Sequence, residues 1–294
     1  MKIKISLGQR IFDIFNVLFM FVLMIIMFYP IWHVIVASLS DSNRLIGHIG
    51  VILKPLGFSF NAYNLMLDNP MLLKGYINTI FIVVVGTVLN LVFTSVAAYV
   101  LSRDGYMYKK LFTIMIVLTM YFSGGMIPSY LLISKTLHLN DSYASLILPV
   151  LINTYNLIIM RTSFESIPKS LEESAKLDGA GHWTTLIRIV IPLSLPIIAV
   201  MVLYYAVAHW NSWFQANLYI KTRTKYPLQL ILREILIIND TTSMTGGGDA
   251  ASEYSVAESV KYAVVVVATI PILCVYPFLQ RFFVKGVMIG AVKG

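Results

Sequence analysis

Apolar residues along this chain come in long, nearly unbroken runs, without the three- and four-residue spacing of an amphipathic helix on a soluble core. Six runs stand out: Ile11 to Leu39, Tyr76 to Leu101, Leu111 to Ile133, Tyr143 to Met160, Leu193 to Trp213 and Tyr262 to Phe283. A bilayer core takes about 20 consecutive, mostly apolar helical residues. The pattern therefore predicts an all-α integral membrane protein with six transmembrane helices. The fourth run is the shortest and contains Asn153 and Asn156. Pro30, Pro149, Pro196, Pro271 and Pro277 fall inside the runs and predict kinks, which membrane helices tolerate because neighbours satisfy the freed carbonyls. The first run exceeds the roughly 7 to 15 residues of a signal-peptide core and is expected to remain as an anchor.

Composition agrees with the runs. Of 294 residues, 58% are hydrophobic and 12% charged, and the mean hydropathy is +0.78. A soluble surface does not carry that balance. The net charge of +8 sits in short clusters between the runs, which argues against a nucleic-acid face and for topology signals. Thirteen of the 22 Lys and Arg lie in the N-terminal segment, the second and fourth connections and the tail. Both termini are therefore expected in the cytoplasm. This divides the chain into a cytoplasmic segment 1–10, a transmembrane domain 11–284 and a cytoplasmic tail 285–294. The single cysteine, Cys274, excludes an internal disulfide framework.

The runs hold no Asp, Glu, Lys or Arg near their centres, where ion- or proton-driven transporters place such groups. His33 and His209 remain, each near a span end. No Gly-x-x-x-x-Gly-Lys-Ser/Thr loop is present, and Gly246, Gly247 and Gly248 lie in an outer polar connection. No metal site and no catalytic cluster is expected. An integral membrane enzyme and a passive channel stay open only as distant rivals.

The longest inner connection, 162–191, is patterned. Ser170 followed by Glu173 fits a capping box, and Glu172 with Lys176 fits an i,i+4 ion pair, predicting a short helix over Leu171 to Leu177. Asp178 and Gly179 predict a turn, and a second helical stretch through Trp183, Leu186 and Ile187 leads to Pro192. Local pattern alone also describes an ordinary amphipathic segment at the membrane surface.

At Glu173, Ser174, Ala175, Lys176, Leu177, Asp178, Gly179 and Ala180, with Pro192 and Pro196 following, the sequence resembles the permease subunits of binding-protein-dependent ABC importers. Ser174 stands where the family's inner-loop motif usually has alanine, and Leu186 where many members have phenylalanine. The resemblance runs along almost the whole chain and points to the carbohydrate-uptake branch that includes the smaller maltose permease. Asn78 and Thr79, the stretch Ala98 to Arg103, Trp210 to Trp213 and the ending Gly290 to Gly294 carry it. Gly124 to Pro128 with Tyr130 is similar to permeases of lipoprotein-associated sugar systems and importers of polysaccharide fragments.

The resemblance implies a type I ABC importer permease with a cytoplasmic coupling helix in the bacterial inner membrane. Its implied partners are a second, homologous permease forming a heterodimer, two cytoplasmic ATPase subunits and an extracytoplasmic solute-binding protein. No cofactor is expected in this chain, which is not itself an enzyme; ATP and Mg belong to the ATPase subunits. Glu173, Ser174, Ala175, Asp178, Gly179, Ala180, Trp183 and Leu186 are the implied ATPase-coupling residues. Gly290, Ala291, Lys293 and Gly294 are the implied tail contact with the ATPases. Sugars favour aromatic faces and neutral hydrogen-bond partners, so Asn153, Tyr155, Asn156, Tyr205, His209, Trp210 and Asn211 are the candidate substrate path, each equally readable as an interhelix contact. A permease of the same family for amino acids, peptides or metals is the alternative to a sugar permease.

Overall fold

A computed structural model describes residues 7–68, 70–105, 107–244, 259–274 and 277. Among the described residues the secondary structure is helical, with only an isolated bridge between Ser40 and Phe58. The chain divides into two units, one comprising Met1–Asn69 and Glu234–Thr269, the other Pro70–Arg233 and Ile270–Gly294.

The first unit begins with α1 (Leu7–Ser38), which starts four residues before the expected span and exposes apolar side chains on all sides over most of its length. A helix that is apolar all round belongs in lipid or against another apolar chain. After it come α2 (Ser42–Ile46), capped by the Asp41 side chain, and α3 (Asn61–Leu67). A small core of Val36, Ala37, Leu45 and Ile52 closes over the end of α1.

The second unit is organised on α4 (Pro70–Ser102). Its buried positions are rich in small or polar residues, with Gly75, Thr79, Gly86, Asn90, Thr94 and Ala98 beside the larger Leu72, Ile82, Tyr99 and Leu101, while Ile80, Phe81, Val84, Val88 and Val92 face outward. That is the inverse of a soluble helix. Small residues let helices approach closely where water supplies no driving force between them. A Cβ on Gly86 would lie 2.5 Å from the His209 imidazole, and one on Gly75 would lie 2.6 Å from Ile231 Cδ1.

Two expected spans are broken instead of continuous, and a further bend stands at the start of the fifth. The third is α5 (Lys109–Tyr121) followed by α6 (Met126–Leu131, extended to Thr136), bent by 112°. Gly125, at φ 85°, and the Gly124–Gly125 pair account for the break. The fourth is α7 (Ala144–Ile147, extended to Val150) and α8 (Thr154–Glu165), bent by 50° beyond Pro149. Because α8 runs to Glu165, the inner connection starts four residues later than the expected Thr162. Next come α9 (Lys169–Leu177), α10 (His182–Thr185), α11 (Ile191–Leu193) and α12 (Leu195–Trp210). The helical stretch from His182 to Leu193 meets α12 at 86°, where Pro192 and Pro196 flank Ser194. Proline removes the amide that a continuous helix needs. The unit continues through α13 (Trp213–Tyr219) to the first turns of α14 (Leu228–Met244). The sixth run is described over α15 (Ser259–Cys274); its remainder lies outside the described residues apart from Pro277. Among the described residues, two helices are long and apolar enough to cross a membrane, or up to five if each bent pair is one span.

Candidate functional site

The segment between α8 and α12 forms a helix, turn and helix, as its pattern predicts, but the devices that build it differ in detail. Pro168 occupies the position before α9, with φ already set for extended entry, and Leu171 N–H donates to its carbonyl at 3.2 Å. Ser170 therefore falls inside the first turn, and the expected capping box with Glu173 does not form. Nor does Glu172 turn outward to Lys176. It is 5% exposed and pairs with Arg103, the first residue after α4.

The end of α9 is closed by a paired-turn motif. Ala180 N–H donates to Ala175 O at 2.8 Å, and Gly179 N–H donates to Lys176 O at 3.0 Å. This geometry requires a left-handed residue, and Gly179 supplies it at φ 81° with open space where a Cβ would stand. Glu173, Ser174, Asp178 and Gly179 lie exposed, Leu177 is 90% exposed, and Trp183 is 65% exposed. Ala175 faces inward and Ala180 is half-buried. Leu186 corrects the expectation of an apolar contact offered to a partner. At 3% exposure it packs in this chain's own core with Tyr99, Leu157, Phe164, Val190 and Met201. The exposed leucines Leu171 and Leu177 are what sequence reasoning missed. Their signal was an apolar side chain on the charged side of a short helix.

Charged side chains tie this segment to its neighbours. Arg103 lies 4.8 Å over the Tyr99 ring, and its Nη2 donates to Phe164 O at 3.5 Å. Lys169 pairs with Asp104. Lys109 lies 3.2 Å from Glu165, which also accepts from Arg161 at 2.9 Å. The hydrogen bond from Lys169 holds the Asp104 carboxyl below its ordinary range and in return raises Lys169.

The candidate path residues separate into two groups. Asn153, Tyr155 and Asn211 are exposed, Tyr155 at 55%. Asn156, Tyr205, His209 and Trp210 are buried. Asn153 caps α8 by accepting from Asn156 N–H at 3.1 Å, while its own amide donates to the Tyr205 hydroxyl at 3.3 Å. Tyr205 reaches Thr94 at 2.7 Å. His209 Nε2 lies 2.7 Å from Asn90 Oδ1, and Asn90 Nδ2 donates to Val150 O and Leu151 O at 2.7 and 2.8 Å. Because the amide oxygen only accepts, His209 donates through Nε2. Asn90 thus satisfies two carbonyls at the break between α7 and α8. A broken helix inside a bilayer has to find such partners in protein.

At the opposite end of the unit, Asp141 accepts from Lys221 N–H, Thr222 N–H, the Thr222 hydroxyl and Lys225 Nζ at 2.7 to 3.0 Å. The Lys225 and Thr222 bonds hold its carboxyl far below the ordinary range. The tail residues Gly290, Ala291, Lys293 and Gly294 lie outside the described residues.

Comparison with known proteins fits this geometry. The family profile described as binding-protein-dependent transport system inner membrane component matches residues 88–289. The polygalacturonan/rhamnogalacturonan transport system permease protein YtcP of Bacillus subtilis (strain 168) is 42% identical over 292 residues, 97% of this chain and 99% of the relative. Protein LplC of the same organism is 42% identical over 285 residues, 97% of this chain and 96% of the relative. A chain from the crystal structure of a bacterial ABC transporter involved in the import of the acidic polysaccharide alginate superposes with a TM-score of 0.86 at 31% identity, covering 96% of this chain and 100% of that one. The chain therefore shares a permease fold with that structure, and it belongs to the family of binding-protein-dependent transport system inner membrane components.

Proposed function

We propose that this chain is the permease subunit of an ATP-driven importer that moves a carbohydrate, an oligosaccharide, delivered by an extracytoplasmic solute-binding protein. The observation that carries the reading is the full-length similarity to a permease of polygalacturonan and rhamnogalacturonan transport. In this reading the chain has six spans with both termini in the cytoplasm, a segment 1–10, a transmembrane domain 11–284 and a tail 285–294. It pairs with a second, homologous permease and rests on two ATPase subunits, which hold ATP and Mg and perform the hydrolysis.

The α9 helix is the coupling helix. Glu173, Ser174 and Leu177 sit on its outward face, Asp178 and Gly179 form the turn, and Trp183 extends the contact into α10. Closure of the ATP-bound pair would move α9 and, with it, the spans, switching the path between inward and outward facing. The tail enters the interface between the ATPases through Gly290, Ala291, Lys293 and Gly294. On the substrate side, Asn153, Tyr155 and Asn211 are the exposed candidates for sugar contact. Tyr205 and His209 hold the broken spans in place through Thr94, Asn153 and Asn90, and Asn156 and Trp210 are buried.

The test is ATPase activity of the whole importer in proteoliposomes with its binding protein. Galacturonate oligosaccharides and neutral oligosaccharides are compared with amino acids and peptides. Stimulation by one of the oligosaccharide sets supports the reading, and stimulation confined to amino acids or peptides overturns the carbohydrate assignment.

A further inference from the structure

We infer that Arg103 is a positioning residue that converts movement of α9 into movement of α4, its buried ion pair with Glu172 acting as a strut between them; this rests on the docking role proposed for α9. Covalently, α9 hangs from α8 by only Ser166, Ile167 and Pro168. Its outward face is free, and its inward face consists of Glu172 and Ala175. A carboxylate at 5% exposure needs a partner to stay ionised, and Arg103 provides it.

The same guanidinium meets three elements. Its residue follows Ser102, the last of α4, and it lies over Tyr99 one turn back; it pairs with Glu172 of α9; and it donates to Phe164 O near the end of α8. Among the described residues, no other ionic contact of α9 is built this way. Lys169 and Asp104 are 73% and 66% exposed, so water and salt compete for their pairing and the contact yields under a push. Arg103 and Glu172, at 17% and 7% side-chain exposure, are far better shielded from that competition. A displacement of α9 then reaches the 33-residue helix that also carries Asn90, Thr94 and the contacts of the broken fourth span. Without the pair, α9 rocks about Ser166–Pro168 and α4 stays behind.

The experiment uses the assembled importer in a Cys274→Ala background, and it needs no transported solute. A Lys176→Cys reporter on the exposed side of α9 measures crosslinking to the ATPase subunit. In separate preparations, a Val88→Cys reporter on the outward side of α4 measures the change in thiol labelling when ATP is trapped with vanadate. Glu172→Gln and Arg103→Met are expected to retain the crosslink and to lose the ATP-dependent labelling change. The exchanged pair, Arg103→Glu with Glu172→Arg, is expected to regain it, which a purely local packing role would not do. If Arg103→Met fails to assemble, the near-isosteric Glu172→Gln carries the test alone. A full labelling change in Glu172→Gln, or no recovery in an exchanged pair that still crosslinks, overturns the strut. Loss of the crosslink with Arg103 and Glu172 both intact would instead sink the docking role itself.

Discussion

Asn90 lies midway along α4 and Asp104 just beyond its end, yet the two ends of their reach are built on opposite principles. Asn90 is fully buried and neutral, and its bonds to Val150 O, Leu151 O and His209 join segments far apart in the chain. Asp104 is charged and wet, and its partners are Lys169 at the start of α9 and Lys109 at the start of α5. The buried set works in surroundings where neither salt nor water competes, so each missing bond leaves a stranded group. The exposed set exchanges partners with solvent at little cost. A permease that must switch between two conformations is served by both: a fixed fastening where spans are broken, and an adjustable one beside the Arg103–Glu172 pair at the proposed ATPase contact.

The sharpest way to break this contrast is Asn90→Leu. An interhelix hydrogen bond in a membrane averages about 0.6 kcal/mol, but that figure assumes the freed groups find other partners. Here two carbonyls at a helix break would be left without donors, and a stranded buried group costs about 1–3 kcal/mol. The larger figure governs, so Asn90→Leu should lower the melting midpoint of the purified importer more than any exposed charge change, and His209→Phe should follow it in part. A melting midpoint equal to that of the unmodified protein would remove the staple from the account.

These two regions also differ in how much of them could be read beforehand. The helix, turn and helix was legible because its determinants are local: Glu173 to Ala180 are contiguous, and Gly179 marks the left-handed turn in the sequence itself. Pro168 displaced the expected cap because proline fixes entry to α9 by covalent geometry, whereas Ser170 has only a side-chain bond to offer. Glu172 left Lys176 for Arg103 because a distant cation can follow a carboxylate into the interior. Asn90 went unnoticed since nothing around it in the chain indicates that Val150 and Leu151 would come to it. The same holds for Leu186, whose burial depends on Tyr99, Leu157 and Phe164. Hydropathy located the apolar helical stretches, but it averages over a window and is blind to the breaks at Gly124–Gly125, Leu151–Asn153 and Ser194.

A smaller expected effect follows at Gly179. Valine there meets no neighbour, since the space for its Cβ is open, but it would have to hold φ 81°. A left-handed conformation costs an L-residue about 1–2 kcal/mol, and more when the side chain is β-branched. That strain falls on the turn and not on the spans. Gly179→Val should therefore leave insertion and melting of the transmembrane part close to normal while abolishing transport or loosening the ATPase subunits, as read by import assays and by co-purification. Gly179→Asn, which tolerates the left-handed region, should retain most of both. Normal import by the valine variant would sever the turn from coupling.

The smallest effect is expected from Asp104→Asn, and its pH dependence sharpens the comparison from the other side. The Lys169 bond depresses the folded-state pKa of Asp104, so the contribution of this carboxylate is present above its ordinary unfolded value and lost as pH falls through the lower folded one. Lys169 is raised in turn, so its share is present below the ordinary lysine value and lost only as pH rises through the folded one. Between about pH 6 and 9 neither group titrates, because ordinary Asp and Lys values lie outside that range. The difference in melting midpoint between Asp104→Asn and the unmodified importer should therefore be small and flat across this interval, and it should shrink in 1 M salt, where the screening length falls to about 3 Å. Asn90→Leu should show no such dependence on salt, since its missing bonds are neutral and buried. If Asp104→Asn destabilised the importer as much as Asn90→Leu, or if salt left its effect untouched, the exposed pair would be a fixed fastening like the buried one. The α9 end of α4 would then have no compliant contact with which to follow a docked partner.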